Sequence, residues 1–319
     1  MNGRAGSAAL GFAESLGPLA ALLQDDTVTD LHRNADGSIR LRHYGGEPVE
    51  CAMRITDGQA QSIIRLAADL AGTVVTAERP LVRSTLPDGS RFQGVIPPVA
   101  TSPIFSIRRH RARRISLDDY AARDILTAEQ CARIRAALER RDNILVTGQT
   151  GVGKTTLLNA MAAEESVARC RLFIAEDTRE IRAEGPDVVQ LCTSDTVSLR
   201  DLVVTALRMR PDRIIIGETR SGDAAIEMLK AWTTAHRGGL STLHADSAGG
   251  FAVRLQSLLQ EVITGGIDAL IGHAVDLVVH LEQTPLGPRC SALATVRWTG
   301  ELDVQLDCPA SQPQCQRTP

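Results

Sequence analysis

The sequence has almost no lysine. Of its 35 basic residues, only Lys154 and Lys230 are lysine and the other 33 are arginine. A chain that uses arginine wherever positive charge suffices is expected to keep lysine where a compact, flexible ammonium is preferred to a planar guanidinium. Lys154 stands in such a place, in the glycine-rich segment "GQTGVGKTT".

Aromatic residues are also scarce, at 3% of the chain, and the net charge is −3. Proteins that bind nucleic acid draw affinity from neutralising its phosphates, and single-strand channels add aromatic side chains on which bases stack. The composition therefore argues against a dedicated nucleic-acid binder, and we expect no direct sequence-specific nucleic-acid binding.

No C-x-x-C pair occurs among the seven cysteines, which lie at positions 51, 131, 170, 192, 290, 308 and 315. An odd, unpatterned set is typical of reduced thiols in a cytosolic protein, and it predicts no zinc module.

Long apolar runs are missing as well. The N-terminal "SAALGFAESLGPLAALL" is interrupted by Glu14, Gly17 and Pro18 and lacks a basic region with a cleavage site. It favours a short docking helix over a signal peptide. We therefore expect a protein that stays in the cytoplasm.

The chain changes character near residue 120. Residues 1–107 show short alternating strand patterns and one helical pattern, "GQAQSIIRLAADLAG", which predict a small α+β domain. Residues 108–122 form an arginine-rich linker that contains "RRHRARR" and ends in a helix start, "SLDDY". For Arg111, Arg113 and Arg114 we expect only a solvated basic segment.

Residues 123–305 alternate apolar β-branched runs with amphipathic helical patterns, as in "NILVT", "RLFIAE" and "RIIIGE" and the segments that follow them. This rhythm predicts an α/β domain whose parallel sheet is covered on both faces. Residues 306–319 are rich in Pro and Gln and are predicted to be a disordered tail.

The segment "GQTGVGKTT" fits the phosphate-binding pattern G-x-x-x-x-G-K-[ST] at every specified position, and it follows a strand and opens a helix. Its glycines let backbone N–H groups turn towards an anion, and the helix N-terminus adds partial positive charge. Lys154 is predicted to reach the β- and γ-phosphates of ATP, and the Thr155 hydroxyl to ligate Mg²⁺. The predicted nucleotide-binding residues are Gly148, Gln149, Thr150, Gly151, Val152, Gly153, Lys154, Thr155 and Thr156.

Acidic residues end two other predicted strands. "RIIIGE" ends in Glu218 and "RLFIAED" in Glu176 and Asp177. Ligands of open α/β sheets bind at the carboxyl ends of the strands, so these carboxylates are candidates for the metal shell and for orienting water. Asp177 could instead brace the loop.

His236 and His244 flank a glycine turn in "TAHRGGLSTLHAD". Neither a cysteine nor a third histidine accompanies them at ligand spacing, so the residues alone favour ordinary core or surface histidines over a metal site.

The four segments together resemble a known family. "GQTGVGKTT", "EDTRE", "RPDRIIIGETR" and "TAHRGGLSTLHAD" occur in the order of the Walker A, Asp box, Walker B and His box of the secretion ATPases, the hexameric motors of type II and type IV secretion and type IV pili. The likeness covers roughly residues 20–300. The chain looks most like the TrbB-like conjugal-transfer ATPases of P-type conjugation systems.

The resemblance implies a RecA-like P-loop NTPase domain and a role for each matching residue. Glu176 would be the water-orienting or general-base group, and Glu218 would join Thr155 on Mg²⁺. His236 and His244 would contact the γ-phosphate side. The arginines expected near the nucleotide are Arg91, Arg108, Arg109, Arg179 and Arg220.

The implied function is ATP hydrolysis to ADP and phosphate, driving pilus or channel assembly and substrate transfer. The motor would be a homo-hexamer in the cytoplasm, held peripherally at the inner membrane by other machine components. Three alternatives stay open. One is a type IV pilus or type II secretion motor with the same chemistry, and another is a RecA-like nucleic-acid motor, which would show DNA-stimulated hydrolysis. The third is a catalytically weak, regulatory nucleotide-binding subunit, which would bind ATP without turnover.

Overall fold

The structure is a computed structural model that describes residue 12 and residues 15–25, 27–43, 46–109, 115–194, 196–234 and 236–307. The chain divides into two compact units, residues 1–113 and 114–319. Arg111, Arg113 and Arg114, which were predicted to form a solvated basic segment, lie outside the described residues, and so does most of the predicted tail.

The first unit is a six-stranded antiparallel sheet in the order β3-β2-β1-β6-β5-β4, with a helix on one face. Its elements are helix Leu19–Gln24 (α1), strands Val28–Arg33 (β1), Ser38–His43 (β2) and Pro48–Arg54 (β3), helix Asp57–Leu70 (α2), and strands Leu81–Thr85 (β4), Arg91–Val95 (β5) and Ile104–Arg108 (β6).

Helix α2 begins where the sequence provides a capping box. The Thr56 side chain accepts from the Gln59 backbone N–H, and the Gln59 side chain in turn accepts from the Thr56 backbone N–H. These bonds satisfy donors that a helix start otherwise leaves unpaired. The buried face of α2, which includes Ile63 and Ile64, packs in the core of the first unit.

The second unit is an eight-stranded mixed sheet in the order β14-β13-β12-β7-β11-β10-β8-β9. The six strands from β12 to β9 are parallel to one another, and β13 and β14 extend one edge in antiparallel pairing. The strands are Ile144–Gly148 (β7), Leu172–Glu176 (β8), Val188–Cys192 (β9), Arg213–Ile216 (β10), Leu240–His244 (β11), Leu277–Thr284 (β12), Gly287–Trp298 (β13) and Leu302–Asp307 (β14).

Helices cover both faces of this sheet. They are Leu117–Ala122 (α3), Ala128–Glu139 (α4), Lys154–Ala162 (α5), Glu165–Ala168 (α6), Leu199–Ala206 (α7), Gly222–Thr234 (α8), Gly250–Gln260 (α9) and Ile267–Ala274 (α10). Ile144 and Val146 of β7 pack in the core beneath α3, α4 and α5, while Leu145 between them packs in the core beneath α7 to α10. The predicted α/β class with a smaller preceding domain is confirmed, and the sheet is mixed rather than wholly parallel.

Several predicted boundaries differ from the observed ones. Arg108, the first residue of the predicted linker 108–122, is the last residue of β6, and the helix start predicted at "SLDDY" is helix α3. Strand β14 includes Leu306 and Asp307, which fall inside the predicted tail, residues 306–319. The Pro- and Gln-rich composition that predicts a tail begins directly after them. Helix α4 has a weakly amphipathic, charge-rich pattern and was not predicted separately.

The amino edge of the second sheet is fastened by Asn143, which precedes β7 and is fully buried. Its Oδ1 accepts from the backbone N–H groups of Gly238 and Gly239 at 2.9 Å each. Its Nδ2 donates to the carbonyl oxygen of Ala274 at 2.7 Å. One amide side chain thereby joins the starts of β7 and β11 to the end of α10.

None of the helices within the described residues is long and apolar enough to cross a membrane.

We expect Asn143→Ala to lower the free energy of unfolding of the second unit by about 3 kcal/mol, because each buried group left without a partner costs roughly 1–3 kcal/mol. Both tryptophans, Trp232 and Trp298, lie in this unit, so urea unfolding followed by tryptophan fluorescence measures it directly. The exposed Gln260→Ala is the control, expected within about 0.5 kcal/mol of the original chain. Equal stabilities for the two variants would contradict the assignment.

Candidate nucleotide site

The glycine-rich loop connects the end of β7 to the start of α5. Gly148, Gly151 and Gly153 have φ values of +142°, +83° and +100°, which side-chain-bearing residues rarely adopt. Gly153 caps α5, whose first residue is Lys154. This curled backbone ahead of a helix N-terminus is the local geometry that binds phosphate.

Gly148 is required by a close approach as well as by its backbone angle. It lies opposite Leu281 of the neighbouring strand β12, and a Cβ on Gly148 would overlap the Leu281 carbonyl oxygen. Val152 in the middle of the loop is buried beneath it. The loop is therefore seated on β12 as well as on its own strand.

The ammonium group of Lys154 lies inside the loop. Its Nζ donates to the carbonyl oxygens of Gly148 and Gln149, at 2.9 Å each, and the residue is 8% exposed. Burial lowers the pKa of Lys154, and the Glu218 carboxylate acts in the opposite direction. The ammonium is thus desolvated and bonded to neutral carbonyl oxygens. Charged phosphate oxygens would form stronger hydrogen bonds with it.

Thr155 is half-buried and Thr156 is exposed on the first turn of α5, while Gln149, Thr150 and Gly151 are exposed on the loop. The loop hydroxyls and backbone are therefore accessible at the carboxyl edge of the sheet.

Glu218 follows β10 at the same edge. Its side chain is 30% exposed and accepts from Arg220 Nη2 at 2.5 Å. The other guanidinium nitrogen, Nη1, lies 3.9 Å from Asp177 Oδ2. Arg220 therefore bridges the acids that follow two neighbouring strands, β10 and β8.

Glu176, the last residue of β8, is 1% exposed and its carboxylate is held by donors of the chain itself. Oε2 accepts from the backbone N–H groups of Glu180 and Ile181 at 2.8 and 2.7 Å. Oε1 accepts from Gln190 Nε2 at 2.7 Å. Burial raises the pKa of Glu176, and these hydrogen bonds oppose the rise because they stabilise the carboxylate.

The loop of residues 177–182, here called the Asp-box loop, is also tied to the helix that follows the phosphate loop. Asn159 of α5 donates to the Glu180 carbonyl at 3.0 Å and accepts from the Arg182 backbone N–H at 2.8 Å. The geometry of the Asp-box loop thus depends on the carboxylate of Glu176 and on the side-chain amides of Asn159 and Gln190.

Asp177 and Arg179 are exposed on the Asp-box loop. Thr193 Oγ1 lies 3.4 Å from Asp177 Oδ1, in keeping with a bracing role for Asp177. Burial raises the pKa of the Cys192 thiol of β9, and the nearby Arg179 opposes the rise because its charge favours the thiolate.

The two histidines lie at opposite ends of the strands, His244 at the carboxyl edge of the sheet and His236 at its amino edge. His244 ends β11 and is in register with Gly148, with its side chain 46% exposed and Nε2 3.8 Å from Asp246 Oδ1. His236 precedes β11, and its Nδ1 lies 3.2 Å from the Pro211 carbonyl oxygen, which precedes β10. The five-residue strand separates these edges by about 13 Å. His244 therefore lies at the same edge of the sheet as the phosphate loop, and its contact with the γ-phosphate side stays a prediction. The glycine turn places His236 at the amino edge, away from that loop.

Three arginines assigned to the nucleotide belong to the first unit. Arg91 of β5 and Arg108 of β6 are directly opposite each other in the sheet. Arg108 Nε lies 3.9 Å from Asp30 Oδ1. Arg109 donates to backbone carbonyls of its own unit, those of Asp25 and Val28.

Sequence reasoning missed three polar residues. Asn159 and Gln190 lie beside the Asp-box loop, and His280 lies beside the start of the phosphate loop. His280 on β12 is buried, with Nδ1 2.8 Å from Thr147 Oγ1, and burial lowers the pKa of His280. Each is a polar residue with apolar residues on both sides, in "LLNAMA", "VVQL" and "LVVHL". That pattern was the available signal, because a buried polar side chain needs a partner.

The donor set suits a magnesium ion better than zinc. Thr155 and Glu218 offer hydroxyl and carboxylate oxygens, and Mg²⁺ is usually held by one or two such groups together with waters and substrate phosphates. Among the described residues, no three His, Cys, Asp or Glu side chains converge as a metal cage.

Comparisons with known proteins give a consistent result. A family model described as "Type II/IV secretion system protein" matches residues 13–318. The chain is 40% identical over 300 residues to the probable conjugal transfer protein TrbB of Sinorhizobium fredii, covering 92% of each chain. It is 41% identical over 280 residues to the conjugal transfer protein TrbB of Rhizobium radiobacter, covering 86% of each.

A solved structure, the pilus retraction motor PilT with bound ADP, superposes with a TM-score of 0.61. It is 19% identical, and the match covers 92% of this chain and 82% of that one. This likeness concerns the fold alone.

We expect Gly148→Ala to destabilise the second unit by about 3 kcal/mol or more, because overlap with the Leu281 carbonyl adds to an unfavourable φ. Gly151→Ala is the matched control. Its φ is also positive but nothing lies within 4 Å of the added Cβ, so only the backbone cost of about 1–2 kcal/mol applies. Urea unfolding measures both, and an equal loss would show that the contact with β12 is unimportant.

Proposed function

The chain belongs to the type II/IV secretion system protein family, and on that basis we propose that it is the ATP-hydrolysing motor of a conjugal transfer, or type IV secretion, system. The observation that carries the proposal is the phosphate-type loop with a buried lysine, placed at the same sheet edge as Glu176 and Glu218. The two relatives named for conjugal transfer favour conjugation over pilus work.

The nucleotide phosphates would enter the curled loop from Gly148 to Thr156. Backbone N–H groups and the N-terminus of α5 would bind them, and Lys154 would exchange its two carbonyl partners for β- and γ-phosphate oxygens. Because the loop itself supplies those carbonyls, Lys154 is already aimed at the place where the phosphates would bind.

Thr155 and Glu218 would hold Mg²⁺, whose charge neutralises phosphate oxygens when it is bound. Arg220 now bonds Glu218 and lies near Asp177, so we propose that it exchanges a carboxylate partner for phosphate. Arginine offers the fixed set of donors that suits either partner.

Glu176 would orient the attacking water. An ionised carboxylate offers about four acceptor positions, and the three described donors leave one on Oε1. Since the residue is 1% exposed, bulk water is kept away and any water that it binds is an ordered one.

The assignments of Arg91, Arg108, Arg109 and Arg179 to the nucleotide stay predictions. His244 is placed beside the phosphate loop, so we propose that it senses the γ-phosphate. For His236 we propose no contact with the nucleotide bound by the same subunit.

We further propose that the motor is a homo-hexamer that works in the cytoplasm, attached peripherally to the inner membrane through other machine components.

We expect Lys154→Ala to lower kcat for ATP hydrolysis by at least ~100-fold, because the charge that stabilises the transferring phosphoryl group is lost. Phosphate release measures this. Lys230→Ala, which removes the chain's other lysine from the exposed side of α8, is the matched control and should hydrolyse ATP like the original chain. Wild-type turnover by a folded Lys154→Ala variant would refute the proposal.

The assembly state is tested by particle mass with and without ATP and Mg²⁺, with phosphate release measured on the same sample. We expect a hexamer that hydrolyses ATP without stimulation by single-stranded DNA. A chain that never assembles, a ring that never hydrolyses, or a strong DNA stimulation would each overturn the motor as proposed.

A further inference from the structure

Gln190 is a polar residue on β9 that the proposed chemistry has not used. Its Nε2 donates to Glu176 Oε1 at 2.7 Å and to the Ile181 carbonyl oxygen at 2.8 Å. An amide nitrogen carries two hydrogens, so both bonds can form at once. Gln190 therefore contacts the acid and the Asp-box loop together.

The bond to Oε1 fixes the direction in which Glu176 can accept a further hydrogen. Oε2 is filled by the backbone N–H groups of Glu180 and Ile181. Oε1 has Gln190 as its partner among the described residues, and it keeps one acceptor position. The side-chain amide thus sets where that position points.

The backbone holds Gln190 in place independently of the loop. Strand β9 pairs with β8 so that Gln190 lies opposite Ile174, two residues before Glu176 and on the same face. A group that aims a reacting side chain works best from a rigid element of this kind. By contrast, the side chain of Asn159, within the part of the chain that the structure describes, bonds the loop backbone at Glu180 and Arg182.

We propose that Gln190 is a positioning residue for ATP hydrolysis, which acts by aiming the remaining acceptor position of Glu176 Oε1 at the attacking water. This inference rests on the proposed role of Glu176. Gln190 has no contact with the phosphate loop among the described hydrogen bonds, so nucleotide binding does not depend on it.

The test is a comparison of the full chain with Gln190→Met, a substitution that keeps the length of the side chain and removes its donors. We expect kcat to fall by about 10- to 100-fold, the range typical when the partner of a functional group is removed. The dissociation constant of a fluorescent ADP analogue should change by less than about twofold, because ground-state binding is untouched. Gln190→Asn, which is one methylene shorter and cannot serve both acceptors, should also lose turnover, and it is the second variant should the methionine substitution disturb folding.

Gln256→Met is the matched control. Gln256 is also half-buried and also donates to a carboxylate, Asp268 Oδ1 at 2.6 Å, but on the other face of the sheet, between α9 and α10. It should leave kcat unchanged, and tryptophan fluorescence should show all variants folded.

A double-mutant cycle separates positioning from mere support of the loop. If Gln190 acts through Glu176, the double variant E176Q/Q190M hydrolyses ATP no more slowly than E176Q alone. Wild-type kcat in Q190M, or an undiminished effect of Q190M in the E176Q background, would overturn the inference and leave the motor intact. Wild-type kcat in E176Q would instead overturn the role of Glu176 proposed above, and the inference with it.

Discussion

The contact between Gly148 and the carbonyl oxygen of Leu281 is the constraint on which the site depends. It brings the backbone of the phosphate loop against β12, so closely that no side chain fits between them. On the other side of β7, the same glycine is in register with His244 of β11. The loop is consequently fixed by two neighbouring strands, and the direction of α5 and the place of Lys154 follow from it.

A second set of hydrogen bonds joins the phosphate loop and α5 to the acidic residues. Glu176 holds the backbone of the Asp-box loop, and Asn159 connects that loop to α5. Arg220 in turn links the acids that follow β8 and β10. The groups proposed for phosphate, metal and water are therefore positioned by a few charged or amide side chains and by strand register, and not by apolar packing alone.

The sequence predicted the features that depend on short patterns. The glycine spacing located the loop, the apolar runs located most parallel strands, and strand ends identified Glu176 and Glu218, because each of these follows from local chain chemistry. The confirmed fold class and family rest on the same segments. The environment of Glu176 could not be predicted, since its partner Gln190 comes from a strand whose pairing with β8 is set only by the folded sheet.

The position of His236 was beyond prediction for a related reason. The sequence places it eight residues before His244, but only the full length of β11 between them shows that they lie at opposite edges. Asn143 holds the glycine turn between these residues at the amino edge. Two histidines of one sequence motif therefore lie far apart in the folded protein.

The burial of Lys154 has a consequence for the chemical reactivity of the protein. Acylating and amine-crosslinking reagents attack unprotonated, accessible amines, and of the two lysine side chains only Lys230 is well exposed, with Lys154 enclosed by the carbonyls of its own loop. Side-chain amine labelling is therefore nearly a single-site reaction. It can attach a reporter to α8 without blocking the phosphate loop, whereas mapping of subunit contacts must use reagents directed at carboxylates or guanidinium groups.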